Sequence, residues 1–87
     1  MSSQNSQRNR AYWRSRRGLL ELDLLLPPFV TARYDALSDA QKRAFDALLD
    51  CEDTDLWDWL QRRSAPPDVE LAAVIDQIRA FNERAER

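Results

Sequence analysis

Arg16-Arg17-Gly18-Leu19-Leu20-Glu21-Leu22-Asp23 contains the only glycine of this 87-residue chain and joins two segments with helical spacing of apolar residues. A lone glycine marks a backbone position where φ is positive, since only a residue without Cβ occupies that region at little cost. Charge also changes sign here. Five arginines and no acid precede Gly18, giving +5; the remainder carries −7, for a formal net charge of −2.

Upstream, Arg10, Trp13, Arg14 and Arg17 fall at i, i+3, i+4 and i+7, which predicts a helix over 6–17 with these residues on one face. Arg16 and Arg17 then lie in its last turn, where cations suit the helix dipole, and Gly18 is its left-handed C′ residue. Residues 1–5 are expected to fray. Downstream, Leu19, Leu22, Leu26, Phe29 and Val30 recur at helical spacing, with Glu21 and Asp23 near the start. Pro27-Pro28 each remove a donor, which predicts a kinked helix running to about Tyr34.

Ser38-Asp39-Ala40-Gln41 matches a capping box, and the helix behind it turns Phe45, Leu48 and Leu49 inward before ending near Cys51. Asp53-Thr54-Asp55 opens a short helix carrying Leu56, Trp57, Trp59 and Leu60, with Arg62-Arg63 at its end. Trp57 and Trp59 cannot share a helix face, so one is expected in the core and the other partly exposed. The last helix starts with Pro67 at or near N1, buries Leu71, Val74, Ile75, Ile78 and Phe81, and passes beyond Asn82 into a loose, charged tail at 83–87. No segment alternates as a strand. The expected fold is all-α, a small five-helix bundle forming a single domain over residues 1–87.

Composition narrows the chemistry. The chain has no histidine and one cysteine, so the commonest general base and zinc ligand are missing, as is any internal disulfide. Acidic neighbours Asp50, Glu52 and Asp53 raise the pKa expected for the Cys51 thiol. The acidic run from Asp50 to Asp58 lacks the glycine and glutamate spacing of a calcium loop and reads as a helix N-terminus with a solvated face. Catalytic and metal-binding residues are therefore expected to be none. The longest apolar run, from Leu24 to Val30, is too short to span a bilayer, so no direct membrane insertion is expected. The polar N-terminus has no apolar signal region, which favours a cytoplasmic location. The arginines interleaved with Tyr12 and Trp13 suit phosphate or carboxylate recognition. Net acidity and the lack of a groove-reading motif weigh against nucleic acid as a partner.

Beyond these patterns the chain resembles a family. Arg10-x-x-Trp13 and Arg16-Arg17-Gly18-Leu19-Leu20-Glu21-Leu22-Asp23 resemble the opening signature of the succinate dehydrogenase assembly factor 2 family, the flavinylation factors, with its Arg-Gly-x-x-Glu motif. The similarity continues through Pro28-Phe29, Tyr34-Asp35-x-Leu37-Ser38, Phe45-x-x-Leu48-Leu49 and Asp53-x-Asp55-Leu56-x-x-Trp59-Leu60, covering about residues 10–80. Thr31 and Arg33 stand where similar bacterial proteins often carry acids, and Gln41 stands where they carry glutamate.

The resemblance implies a non-enzymatic, chaperone-like assembly factor. It would help attach FAD covalently to a histidine of the succinate dehydrogenase flavoprotein subunit, with the fumarate reductase flavoprotein subunit a second candidate client. FAD then belongs to the client, no cofactor is assigned to this chain, and the free protein is expected to be a monomer. The implied client-binding residues are Arg17, Gly18, Glu21, Arg10, Trp13, Arg16 and Asp23. Arg17 either pairs with a client carboxylate or otherwise holds its domains; Glu21 either binds a client cation or orients Arg17 from within. The competing class is an antitoxin-like or other protein-interaction module unrelated to flavin.

Overall fold

The computed structural model of the protein describes the backbone of residues 3–85 and the side chains of residues 6–84. Among the described residues five α-helices follow in order: α1 Ser3–Ser15, α2 Leu20–Arg33, α3 Asp39–Leu49, α4 Asp53–Leu60 and α5 Val69–Ala85, with a 3₁₀ turn over Tyr34–Ala36. No strand occurs among the described residues. The Cα radius of gyration is 12.1 Å, against about 12 Å from the length scaling of a folded domain.

The core is set by the apolar stripes. Leu22, Leu26, Phe29 and Val30 of α2, Phe45 and Leu48 of α3, Leu56 of α4, and Val74, Ile75 and Ile78 of α5 are all buried in one cluster. Phe29 lies 5.8 Å from Phe45 and 5.9 Å from Phe81 between ring centroids, and Tyr34 lies 6.0 Å from Phe45. Such tilted and edge-to-face pairs favour one packing arrangement over others. Helix α1 lies chiefly against α2, while α5 packs on α2, α3 and α4. Leu19, expected in the α2 stripe, is 43 % exposed. It precedes the helix in an extended conformation, so helical periodicity does not apply to it.

Helix α2 spans both prolines and reaches Arg33, with Tyr34 both capping it through an N–H donated to Val30 O and opening the 3₁₀ turn. Pro27 and Pro28 cannot donate to the carbonyls of Asp23 and Leu24. Burial of the Leu22–Val30 face sustains the helix across them. From α5, the Asn82 amide donates to Leu25 O at 3.2 Å and to Ile78 O at 2.8 Å, tying the two helices just before the prolines.

The helix starts follow local chemistry. Ser38 Oγ accepts the Gln41 N–H at 3.1 Å and Gln41 Oε1 accepts the Ser38 N–H at 2.8 Å, the reciprocal capping box. At α5 the cap is Asp68, whose Oδ1 accepts the Glu70 N–H at 2.9 Å. Pro67 therefore sits before the cap, outside the helix. The α5 helix continues to Ala85 and α1 begins at Ser3, so 3–5 and 83–85 are helical. The expected fraying at 1, 2, 86 and 87 falls outside the described residues.

Helix α4 ends in a conformation that the sequence does not announce. The Arg62 N–H donates to Trp59 O at 3.2 Å and the Arg63 N–H to Asp58 O at 2.9 Å, a Schellman pair with Arg62 at C′. Arg62 has φ 63°, the one positive value among the described non-glycine residues. An L-residue pays about 1 kcal/mol for this region, and the exposed Arg62–Glu83 contact at 3.3 Å offsets little of it. Arg62→Gly is expected to stabilise the protein by about 1 kcal/mol, measured as a higher urea midpoint. An unchanged or lower midpoint would show that the conformation is not strained.

Candidate functional site

The corner between α1 and α2 is shaped by where α1 stops. The helix ends at Ser15, whose buried Oγ donates back to Tyr12 O at 2.5 Å, and the Arg16 N–H closes a turn on Trp13 O at 3.2 Å. Arg16 and Arg17 therefore lie beyond the last helical turn, where only Arg14 is basic. Gly18 is consequently part of the connecting turn and not the C′ residue of α1. Its φ is nonetheless +82°, as its isolation in the sequence implied. A Cβ built there meets no atom within 4 Å, so conformation, not crowding within the protein, calls for glycine.

Arg17 turns inward. Its Nε donates to Asp53 Oδ1 at 2.6 Å, Nη1 to Leu49 O at 2.6 Å, and Nη2 to Cys51 O at 2.7 Å. Leu49 carries a carbonyl left without an intrahelical partner at the end of α3, and Cys51 lies in the connection that follows. The guanidinium fork thus caps α3 while pairing with the first residue of α4. The Arg17 backbone N–H donates to Asp23 Oδ1 at 2.7 Å, and Arg16 Nε lies 3.9 Å from Asp23 Oδ2. Asp23 thereby holds the turn from the α2 side. Glu21 is exposed, and the carboxylate that orients Arg17 is Asp53. Of the two expectations for Glu21, orientation of Arg17 from within is thus not what the structure shows.

The single face expected for Arg10, Trp13, Arg14 and Arg17 is divided. Trp13 projects outward at 67 % exposure, edge-on to Tyr12 with centroids 5.5 Å apart. Arg14 pairs with Asp50, and Arg10 lines a polar pocket of about 120 Å³ with Arg14, Tyr34 and Asp46. Much of the basic segment is folded onto the acidic one: Arg8 pairs with Asp35, Arg14 with Asp50 and Arg17 with Asp53. The sequence's charge asymmetry is therefore reduced in space.

The corner also carries exposed apolar side chains. The large apolar side chains left exposed among the described residues are Trp13, Leu19, Leu20, Leu24 and, far along the chain, Val69. All but the last flank this corner. Leu20 and Leu24 stand one helical turn apart, off the Leu22–Leu26 stripe, and that spacing was the available signal. Exposed apolar residues and a tryptophan on the two helices that meet at this turn have the composition of a protein-binding surface. Beside it, Tyr12, Arg16, Asp23, Pro27, Pro28 and Thr31 line a shallow groove of about 410 Å³.

Three groups near the corner titrate away from their ordinary values. Burial raises the Asp46 carboxyl, with Arg14 and Arg10 opposing, and burial also raises the hydrogen-bonded Tyr34 phenol. The Cys51 thiol is raised first by burial and then by Asp55 and Asp50. For Asp46 a raised folded pKa means that stability is fully present below the unfolded value and is lost as pH rises through the folded one. Asp46→Asn is accordingly expected to be at least as stable as wild type at pH 7. Its advantage should shrink toward zero as pH falls below the ordinary value of 3.8. Urea midpoints of both proteins at pH 7 and pH 3.5 test this; an Asn variant weaker at pH 7 alone would contradict it.

No described helix is long and apolar enough to cross a membrane. The chain belongs to the family described as flavinator of succinate dehydrogenase, whose pattern matches residues 9–82. Relatives bear the name FAD assembly factor SdhE. That of Yersinia pseudotuberculosis is 44 % identical over 73 residues, covering 84 % of this chain and 83 % of the relative. That of Pseudomonas savastanoi pv. phaseolicola is 46 % identical over 70 residues, covering 80 % and 83 %. That of Pectobacterium atrosepticum is 43 % identical over 75 residues, covering 86 % and 85 %.

Proposed function

We propose that this protein promotes covalent attachment of FAD to the flavoprotein subunit of succinate dehydrogenase by binding that subunit at the α1–α2 corner. The observation that carries the structural part is Gly18: exposed, at φ +82°, with open space where a Cβ would stand, and flanked by exposed Trp13, Leu19, Leu20 and Leu24. Such a turn lets a partner's backbone approach closely while the apolar fringe contributes buried area. Trp13, Gly18, Glu21 and Arg16 supply the contact. Arg10 extends it on α1, and Asp23 and Arg17 hold its shape from within.

The chain has no histidine to join to the flavin. Its part is conformational. Bond formation brings the client histidine and the flavin carbon to near-attack distance and stabilises charge developing on the ring. A factor with higher affinity for the conformer that does so raises its population in proportion to the differential affinity. It acts in the cytoplasm as a non-enzymatic monomer, FAD remaining the client's, and the fumarate reductase flavoprotein subunit is a second client. The test is covalent flavin on the succinate dehydrogenase flavoprotein subunit, read as fluorescence in a denaturing gel. Loss on deletion of this protein and recovery with the wild-type gene are expected; undiminished fluorescence after deletion would overturn the proposal.

A further inference from the structure

We infer that Asp53, on α4 and 36 residues from Arg17, is a positioning residue for the client-binding corner, and that Arg17 acts through it without touching the client. The inference rests on the function proposed above. All three guanidinium nitrogens of Arg17 donate inward, to Asp53 Oδ1, Leu49 O and Cys51 O, and its side chain is 16 % exposed. Bidentate recognition of a carboxylate requires a free edge with two N–H groups. Each edge here already serves an internal acceptor, so a client carboxylate would have to displace one.

Asp53 is well placed to hold its end. As the first residue of α4 its charge sits at the positive end of the helix dipole, and its side chain is 34 % exposed. The two backbone carbonyls that share the fork belong to the last residue of α3 and to the turn that joins it to α4, so the corner's position is set by a segment remote in sequence. On the other side, the Asp23 carboxylate takes the Arg17 N–H at 2.7 Å. Gly18 is thus suspended between two carboxylates, one from α4 acting through the Arg17 side chain and one from α2 acting on its backbone. Lysine at position 17 would keep the charge and lose the fork that reaches three acceptors at once.

The experiment titrates the purified protein into succinate dehydrogenase flavoprotein subunit loaded with non-covalent FAD and reads the dissociation constant. Asp53→Ala and Arg17→Ala are each expected to weaken binding about tenfold, and the double variant no further, as for two residues acting as a unit. Arg17→Lys is expected to behave as Arg17→Ala. Ile78→Val, chosen in the α5 core for a comparable fall in melting temperature, is expected to bind as wild type, which separates positioning from general stability. In the free protein, Asp53→Ala is expected to speed amide hydrogen exchange at Gly18, Leu19 and Leu20 while leaving Val74 to Ile78 unchanged. Normal binding by Asp53→Ala with weakened binding by Arg17→Ala, or additive losses in the double variant, would overturn the inference and make Arg17 a direct contact. Unchanged exchange at the corner would also overturn it, without reference to the client. Failure of the wild-type protein to bind at all would instead overturn the proposed function.

Discussion

Phe45→Ala is expected to remove about 3–5 kcal/mol of stability, the cost of deleting a buried phenylalanine side chain and leaving a cavity. Phe45 is fully buried, and its ring lies against both Phe29 and Tyr34, so its loss opens the junction between α2, α3 and the 3₁₀ turn. For a chain of this length, total stability is roughly 4–13 kcal/mol at the usual contribution per residue. At the lower end of that range the loss removes essentially all of the stability, and at the upper end about a third of it. Urea denaturation followed by circular dichroism checks this, and a loss below about 1 kcal/mol would contradict the central place given to this ring. Few other single changes should cost as much in so small a core.

Gly18→Ala is expected to separate stability from function. A Cβ at this position meets nothing in the free protein, so the cost is that of holding alanine at φ +82°. That is about 1 kcal/mol, or about 4–8 °C in melting temperature for a domain of this size. The folded state should remain the dominant species. Covalent flavin on the client is nevertheless expected to fall severely, because the added methyl group and the altered turn meet the partner's surface. A Gly18→Ala protein with normal flavinylation would mean that close approach at this point plays no part.

Much of the architecture was legible because the helix boundaries are written locally. Ser38 and Gln41 cap α3 with side chains three residues apart, and the apolar spacing of α2, α3 and α5 matched their buried faces. Helical geometry placed Trp57 and Trp59 on different faces without saying which is buried; Trp59 is, while Trp57 is only half-buried. The positive φ of Gly18 followed from its being the only glycine. What could not be read was non-local. Arg17 was assigned to a helical face, yet its partners are Leu49, Cys51 and Asp53, more than thirty residues away. Those acceptors draw it out of the α1 register, and the helix stops at Ser15. Arg62 at C′ was equally unreadable, since arginine has no preference for the left-handed region. Thr31 lines the groove beside the corner, and Arg33 lies 5.8 Å over the Phe81 ring. The charge that distinguishes these two positions is thus shared between a surface groove and a packing contact.

The central claim is that the α1–α2 corner acts on an FAD-loaded client. The most direct measurement mixes purified succinate dehydrogenase flavoprotein subunit and FAD with wild-type protein, with Gly18→Ala, or with neither, and follows covalent flavin in denaturing gels over time. Flavinylation is expected to accelerate with wild type and to remain at the unassisted rate with the folded Gly18→Ala variant. Equal time courses for wild type and the variant would contradict the claim and place any effect on flavinylation elsewhere on the bundle.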